Sequence, residues 1–165
     1  MSARTPHQLT SNVKLLQKVV LECNGRFLLL QRDENSFSRP LCWDLPGGNS
    51  EWPEHISAPT SDLHQLDAAR EIREETGLDV PASEFHHGNL VYFETFFDPK
   101  KQIYTVLLGW HVRLETPGED ELPVTLSEEH VQAQWMEPGE ALIADFGGEK
   151  GAFVPRILQA ASRRR

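Results

Sequence analysis

Cysteine is scarce in this chain: its 165 residues contain two, Cys23 and Cys42, with no CxxC spacing between them. A disulfide framework is therefore excluded, and both thiols read as small buried apolar groups. Long apolar runs are also missing, since the uninterrupted ones span only a few residues, far short of a membrane span. The first residues, MSARTPHQLTSNVKLLQ, lack an apolar core segment. No signal peptide is expected, and the cytoplasm is the expected compartment. Positive charge is in short supply: 16 Lys and Arg stand against 25 Asp and Glu, for a formal net charge of -9. This balance argues against a general binder of nucleic acid, which needs clustered basic residues. An acidic protein can still accept an acidic substrate if metal cations stand between them. Internal repeats and low-complexity tracts are absent too. What remains is a chain with 39% apolar residues, enough for one folded domain with a sizeable core and short for two.

The pattern along the chain is α/β or α+β, with several strands and two separated helices expected to pack as a sandwich. VKLLQKVVLECNGRFLLLQRD reads as a hairpin about Asn24-Gly25, where both turn positions tolerate positive φ. LCWDLPGG reads as a short strand entering a turn at Pro46. SDLHQLDAAREIREETG is the strongest helix: Ser61 is the expected cap, Asp62 suits the positive end of the helix dipole, and Gly77 stops it. Leu66, Ala69, Ile72 and Thr76 form its expected apolar stripe. NLVYFETFF and QIYTVLLGWHVRLE flank Asp98-Pro99-Lys100-Lys101 as a second hairpin. HVQAQWM reads as a strand, EPGEALIADF as a turn with a helical segment, and GAFVPRILQAASRRR as an amphipathic terminal helix. Its basic end, Arg163 to Arg165, complements the negative helix terminus.

The most informative stretch is REIREETG. Glu71, Glu74 and Glu75 stand at i, i+3 and i+4, neighbours on one helix face and roughly opposite the expected apolar stripe. Like charges so placed repel by ~0.2–0.5 kcal/mol per pair, which Arg70 offsets in part by reaching Glu74 one turn on. In isolation such a segment reads as a solvated charged face. Clustered carboxylates are also what a hard divalent cation such as Mg²⁺ requires, and a cation held there can bind substrate phosphate.

REIREETGL resembles the second half of the Nudix box of the Nudix hydrolases, G-x5-E-x7-R-E-U-x-E-E-x-G-U with U apolar. Arg70, Glu71, Ile72, Glu74, Glu75, Gly77 and Leu78 match. A W-x-L-P-G-G lead-in common in the family is matched by Trp43, Leu45, Pro46, Gly47 and Gly48. The flanking hairpins, the stretch Glu129, His130 and Trp135, and the terminal helix also follow the family order, so the resemblance covers about residues 15 to 160. It implies an α/β/α sandwich with a mixed β-sheet and a loop–helix–loop box, within a single domain over residues 1–165. It implies hydrolysis of a nucleoside diphosphate linked to another moiety, by water attack at phosphorus, with Mg²⁺ or Mn²⁺ as cofactor. Glu71, Glu74, Glu75 and the carbonyl of Gly47 match metal-binding positions, and Arg70 matches the arginine that orients a box glutamate. Gly48, Glu54 and Arg32 are the expected substrate-binding positions. The general base is Glu74, Glu128 or Glu129, all of them acidic residues within or after the box.

One departure stands out. The pattern asks for seven residues between its first glutamate and the arginine, whereas fifteen separate Glu54 from Arg70. Either an insertion around HISAPTSD follows Glu54, or Asp62 takes the glutamate's place. Loops absorb insertions at modest entropic cost, so the fold is not threatened. Phe37, Trp43 and Trp52 are candidates to stack on a base or sugar, with Trp43 reading as core. His86 and His87 read as loop residues rather than ligands. A non-catalytic Nudix-fold nucleotide sensor is the alternative reading, although such proteins usually lose box glutamates that this chain keeps. An RNA decapping enzyme ranks lower for want of a basic track. The expected partner is a small nucleoside diphosphate derivative. Nucleoside triphosphates, nucleoside diphosphate sugars, dinucleoside polyphosphates and ADP-ribose-like compounds all satisfy the pattern, which fits a monomer or a homodimer equally.

Overall fold

A computed structural model describes residues 10–51, 64–118 and 120–164. The expected first hairpin is present as β1 (Asn12–Cys23) and β2 (Arg26–Arg32). Asn24 and Gly25 turn it with φ of 48° and 81°, the paired positive values of a tight two-residue loop. β3 is the short strand Trp43–Asp44, β4 spans Leu90–Asp98, β5 Ile103–Leu114 and β6 His130–Met136. Among the described residues these make one mixed sheet in the order β3-β2-β1-β5-β4, with β6 on β2. β1 runs parallel to β5 from Asn12↔Ile103 to Cys23↔Leu114, while β4 and β5 pair antiparallel.

The sheet is split where it matters. β1 and β2 pair at Glu22↔Phe27 and Cys23↔Arg26 and then part. β3 fills the opening on the β2 side, through Leu30↔Asp44 and Gln31↔Trp43. The loop after it fills the β1 side. There Val19 N–H donates to the Pro46 carbonyl, Gln17 N–H to that of Gly48 and Ser50 N–H to that of Leu15, each at 2.9 Å. Backbone groups of a parted strand need partners, and the glycine loop supplies them.

Strand alternation sorts the core into two layers. Val19, Leu21 and Cys23 of β1 pack with Trp110 and with Ala68 and Ile72 of helix α1 (Gln65–Thr76). Val20, Phe27 and Leu29 pack on the other face. There they meet Ala141 of helix α2 (Pro138–Leu142) and Val154, Ile157, Leu158 and Ala161 of helix α3 (Phe153–Ser162). The α3 set is an i, i+3, i+4, i+7 stripe, and the whole is the expected α/β/α arrangement. Both cysteines are free and buried. No described helix is long and apolar enough to cross a membrane.

Helix α1 departs from expectation in its orientation. Leu66, expected in the stripe, is 79% exposed, while Glu75, expected on the outer face with Glu71 and Glu74, is buried beside Ile72 and Thr76. Simple periodicity favoured the larger apolar side chain. The fold instead rotates the helix so that Glu75 Oε2 accepts the Gly47 N–H at 2.7 Å. The expected cap and dipole partner, Ser61 and Asp62, lie outside the described residues. Gly77 ends the helix as expected, with φ of 70° and its N–H on the Arg73 carbonyl.

This orientation has a direct consequence for stability. Ile72→Ala should destabilise the protein by roughly 2–5 kcal/mol, the ordinary range for emptying a buried aliphatic site. Leu66→Ala should change stability by under about 0.5 kcal/mol. Urea unfolding monitored by circular dichroism measures both.

Candidate functional site

The loop in the split sheet runs so close to β1 that Gly47 has no room for a side chain. Gly47 adopts φ of 120°, and a Cβ there would lie 2.2 Å from the Gln17 carbonyl oxygen. A Cβ on Gly48 would meet Glu71 Oε2 at 2.9 Å. Gly47 is thus required by its close approach to the β1 backbone, whereas at Gly48 the Glu71 carboxylate would have to shift. Buried Gln17 fastens the arrangement from below. It accepts the Trp110 indole N–H at 2.8 Å and donates to Ser50 Oγ at 2.8 Å and to the His64 carbonyl at 3.1 Å.

Asp44 anchors the other end of the loop. Its carboxylate is fully buried and takes Arg39 Nη2 at 2.6 Å, Lys18 Nζ at 3.2 Å and Arg32 Nη1 at 3.2 Å. Its second oxygen accepts the Leu45 N–H at 2.8 Å. Burial by itself would raise this carboxyl, but Lys18 and Arg39 outweigh it and hold Asp44 below the usual carboxylate range. The Lys18 ammonium also donates to the Leu45 carbonyl at 3.0 Å and the Gly47 carbonyl at 3.1 Å. A bulge between Gln31 and Arg32 breaks the β2–β6 register, and such bulges re-aim side chains.

Helix α1 supplies the facing carboxylates. Arg70 donates to Glu74 Oε2 at 2.8 Å and to Glu71 Oε1 at 3.0 Å, so one guanidinium holds two glutamates. Burial raises the Glu71 carboxyl, with Arg70 opposing it and Glu74 and Glu129 adding to it. Burial raises Glu75 further, to about 7; Lys18 and the Gly47 N–H oppose the shift, and Glu71 and Asp44 add to it. Glu71, Glu75, Gly47 and Gly48 line a cleft of about 650 Å³ together with Glu129 and Arg32. Lys14 and Lys18 of β1, Arg39, Phe96 and Lys150 line it as well.

Comparison with known proteins identifies the family. A model described as the NUDIX domain matches residues 18–157. The chain belongs to the Nudix family. The 111R protein of Invertebrate iridescent virus 3, a hydrolase by name, is 37% identical over 68 residues, covering 41% of this chain and 32% of that protein. The chain thus matches about a third of that relative's length. The MutT protein of Methanosarcina mazei Go1 superposes with a TM-score of 0.62 at 23% identity, covering 93% of this chain and 95% of its own. The NUDIX domain of Shewanella oneidensis NrtR, complexed with ADP ribose, gives 0.63 at 14% identity, covering 98% and 93%. At these identities the structural likeness speaks for the fold alone.

The structure gathers some of the residues singled out from the resemblance and sets others apart. Glu71, Glu75, Gly47, Gly48, Arg32 and Glu129 share the cleft, whereas Glu74 and Arg70 are not among its lining residues. Glu128 does not line it either, and its neighbour Glu129 is anchored by its carbonyl, which accepts the Asp33 N–H at 2.9 Å. Glu54, Asp62 and Trp52 lie outside the described residues. Trp43 is half-buried against the α3 face, as expected of a core residue. Among the described residues no three His, Cys, Asp or Glu groups form a metal cluster, His86 and His87 included. Sequence reasoning passed over Lys18, Arg39 and Asp44. A single lysine inside the apolar run LLQKVVL was the available signal, because a charge buried in a strand demands a partner.

Glu75 gives the metal-free protein a pH signature. A carboxyl whose value rises from 4.5 to about 7 on folding holds its proton more tightly in the folded state. The stability this provides is complete below the unfolded value and is lost as pH rises through about 7. In the metal-free protein at pH 8, Glu75→Gln should therefore raise stability by up to roughly 3 kcal/mol, at ~1.4 kcal/mol per pKa unit. The same change should flatten the stability profile between pH 4.5 and 7. Chemical denaturation across this range in EDTA provides the check.

Proposed function

We propose that this Nudix-family chain is a divalent-metal-dependent pyrophosphohydrolase. Its substrate is a nucleoside diphosphate linked to another moiety. The observation that carries the reading is the convergence of Glu71 and Glu75 on the same cleft as Arg32 and Lys14. Carboxylates and cations there line one cleft of about 650 Å³. The donor set fits Mg²⁺ or Mn²⁺: the two glutamates are hard oxygen donors whose charges are disfavoured by burial, and Gly47 adjoins Glu75 through its N–H. Glu71, Glu74, Glu75 and Gly47 would hold the ion. When bound, the cation supplies charge neutralisation of the diphosphate and Lewis-acid assistance to its cleavage.

The remaining chemistry belongs to the chain. Arg70 fixes the carboxylates of Glu71 and Glu74 by charge-assisted hydrogen bonds. Arg32 and Lys14 bind phosphate oxygens, and Gly48 lets the diphosphate approach backbone. Glu54 is an added substrate contact on the sequence pattern. Glu129, which lines the cleft, accepts the proton of the attacking water. The new P–O bond forms as the bridging P–O bond breaks, and the leaving phosphate carries away the electron pair. Glu129 is the better placed base, because Glu74 is tied to Arg70 and outside the lining.

A panel of nucleoside diphosphate derivatives, incubated with Mg²⁺ and in parallel with EDTA and resolved by chromatography, tests this. Cleavage of at least one member should require the metal. Glu129→Gln should lower kcat by ~10²–10⁴, the usual contribution of a general base, and Glu71→Gln should weaken metal binding seen by calorimetry. Turnover indifferent to EDTA would sink the proposal. Binding of panel members without turnover would point to a nucleotide sensor instead.

A further inference from the structure

The sequence sets twelve residues between Glu51 and His64, and the box is eight residues longer than its pattern asks with Glu54 as the first glutamate. The extra length falls between the glycine loop and helix α1. Their relative position decides whether Gly47 and the glutamates converge. Closing a longer connection costs more chain entropy. The insertion therefore works against the site unless its two flanks are held together by something outside it.

Gln17 does this with one side chain. It lies in β1 and is 2% exposed. Its Nε2 donates to Ser50 Oγ at 2.8 Å, on the glycine-loop flank, and to the His64 carbonyl at 3.1 Å, on the α1 flank. Both flanks of the long connection thus meet on a single nitrogen. The amide has one orientation, because the Trp110 indole only donates and its N–H takes the Gln17 oxygen at 2.8 Å. Trp110 is fully buried, so the core aims both donors. Backbone bonds extend the hold on the loop, with the Gln17 N–H on the Gly48 carbonyl and the Ser50 N–H on that of Leu15, both at 2.9 Å. On the helix side the hold falls on a weak point. His64 has φ of 54°, and its side chain makes no capping hydrogen bond. A residue other than glycine keeps such a backbone only where its surroundings impose it. The His64 carbonyl also takes the Ala68 N–H at 3.2 Å, in the first turn of α1, so Gln17 grips the helix where it starts.

We infer that Gln17 is a positioning residue: its amide fixes α1 against the glycine loop and so makes the geometry of the carboxylate site independent of the length of chain between them. The inference rests on the proposed metal site only for what that geometry serves.

Two measurements on the full chain test this: residue-resolved hydrogen exchange by NMR in EDTA, and calorimetric titration with Mn²⁺. The variants are Gln17→Met, Trp110→Phe, and deletion of residues 55–62 from the parent and from Gln17→Met. Gln17→Met removes both donors at similar length, whereas Trp110→Phe disturbs the same core and leaves them in place. Relative to Trp110→Phe, and after correction for global stability, Gln17→Met should speed exchange of the Gly47 and Ser50 amides by roughly tenfold and weaken Mn²⁺ binding by roughly tenfold, the scale of one or two buried hydrogen bonds. In the parent, the deletion should leave both readouts within about twofold. In Gln17→Met it should recover up to about fivefold, the closure entropy of a connection cut to roughly a third of its length. Should Gln17→Met fail to fold, Gln17→Glu serves in its place, keeping an acceptor for Trp110 and losing the donors. Equal exchange in the Gln17 and Trp110 variants would overturn the inference, as would a deletion that loosens or unfolds the parent. The metal reading fails separately. Absence of Mn²⁺ binding in the parent, with the exchange pattern intact, removes the metal site and leaves the role of Gln17 standing.

Discussion

The buried carboxylate of Asp44 is the constraint on which the site depends. It gathers Lys18 from β1, Arg32 from β2 and Arg39 from the following loop. These are the elements that part to open the sheet. Any one of these cations without Asp44 would be a charge withdrawn from water with poor compensation. With it, the parted strands are held at a fixed separation, and the loop between them has one path. Lys18 then carries the constraint onward, since its ammonium binds the carbonyls of Leu45 and Gly47. The glycine loop is thereby held from the sheet side as well as from α1.

From α1 the fixing is completed by an acid in an uncomfortable place. Glu75 is buried and accepts the Gly47 N–H, and burial pushes its carboxyl to about 7. Glu71 is raised in the same direction. Local stability is traded for a cluster of oxygen donors, an arrangement common at functional sites. It also sets acidic and basic side chains together in one cleft of a chain whose net charge is -9. Lys14, Lys18 and Arg32 of the sheet line the same cleft as Glu71 and Glu75 of α1. Overall charge governs long-range approach, whereas the local pairing governs what binds.

Much of the fold was legible along the chain. Asn24-Gly25 marked its hairpin because few residues accept two positive φ values in succession. Asp98 to Lys101 marked the second turn, Gly77 stopped α1, and the i, i+3, i+4, i+7 stripe of α3 packs as its spacing implies. Reading the orientation of α1 from periodicity failed at Leu66 and Glu75. A hydrophobic stripe reports which side chains prefer burial, but a single strong hydrogen bond to a fixed backbone N–H can rotate a short helix against that preference. The glutamates of the box were legible as a group, because their spacing is local. Their division into a buried Glu75, a half-buried Glu71 and an exposed Glu74 was not.

By itself, the sequence determined the strands and helices, the glycines of the loop, the crowding of acids on one helical turn and the family resemblance. All of these are encoded within a few residues of one another, where backbone geometry and side-chain spacing act directly. Tertiary structure decided that Lys18, Arg32, Arg39 and Asp44 form one charge network, that Glu129 rather than Glu128 or Glu74 lines the cleft, and that Phe37, Phe96 and Phe153 line it too. Those partners are separated by up to about a hundred residues. The pairing of β2 with β3 and β6, of β4 with β5, and the packing of α3 bring them together, because the fold in three dimensions, not distance along the chain, sets which charges and rings meet.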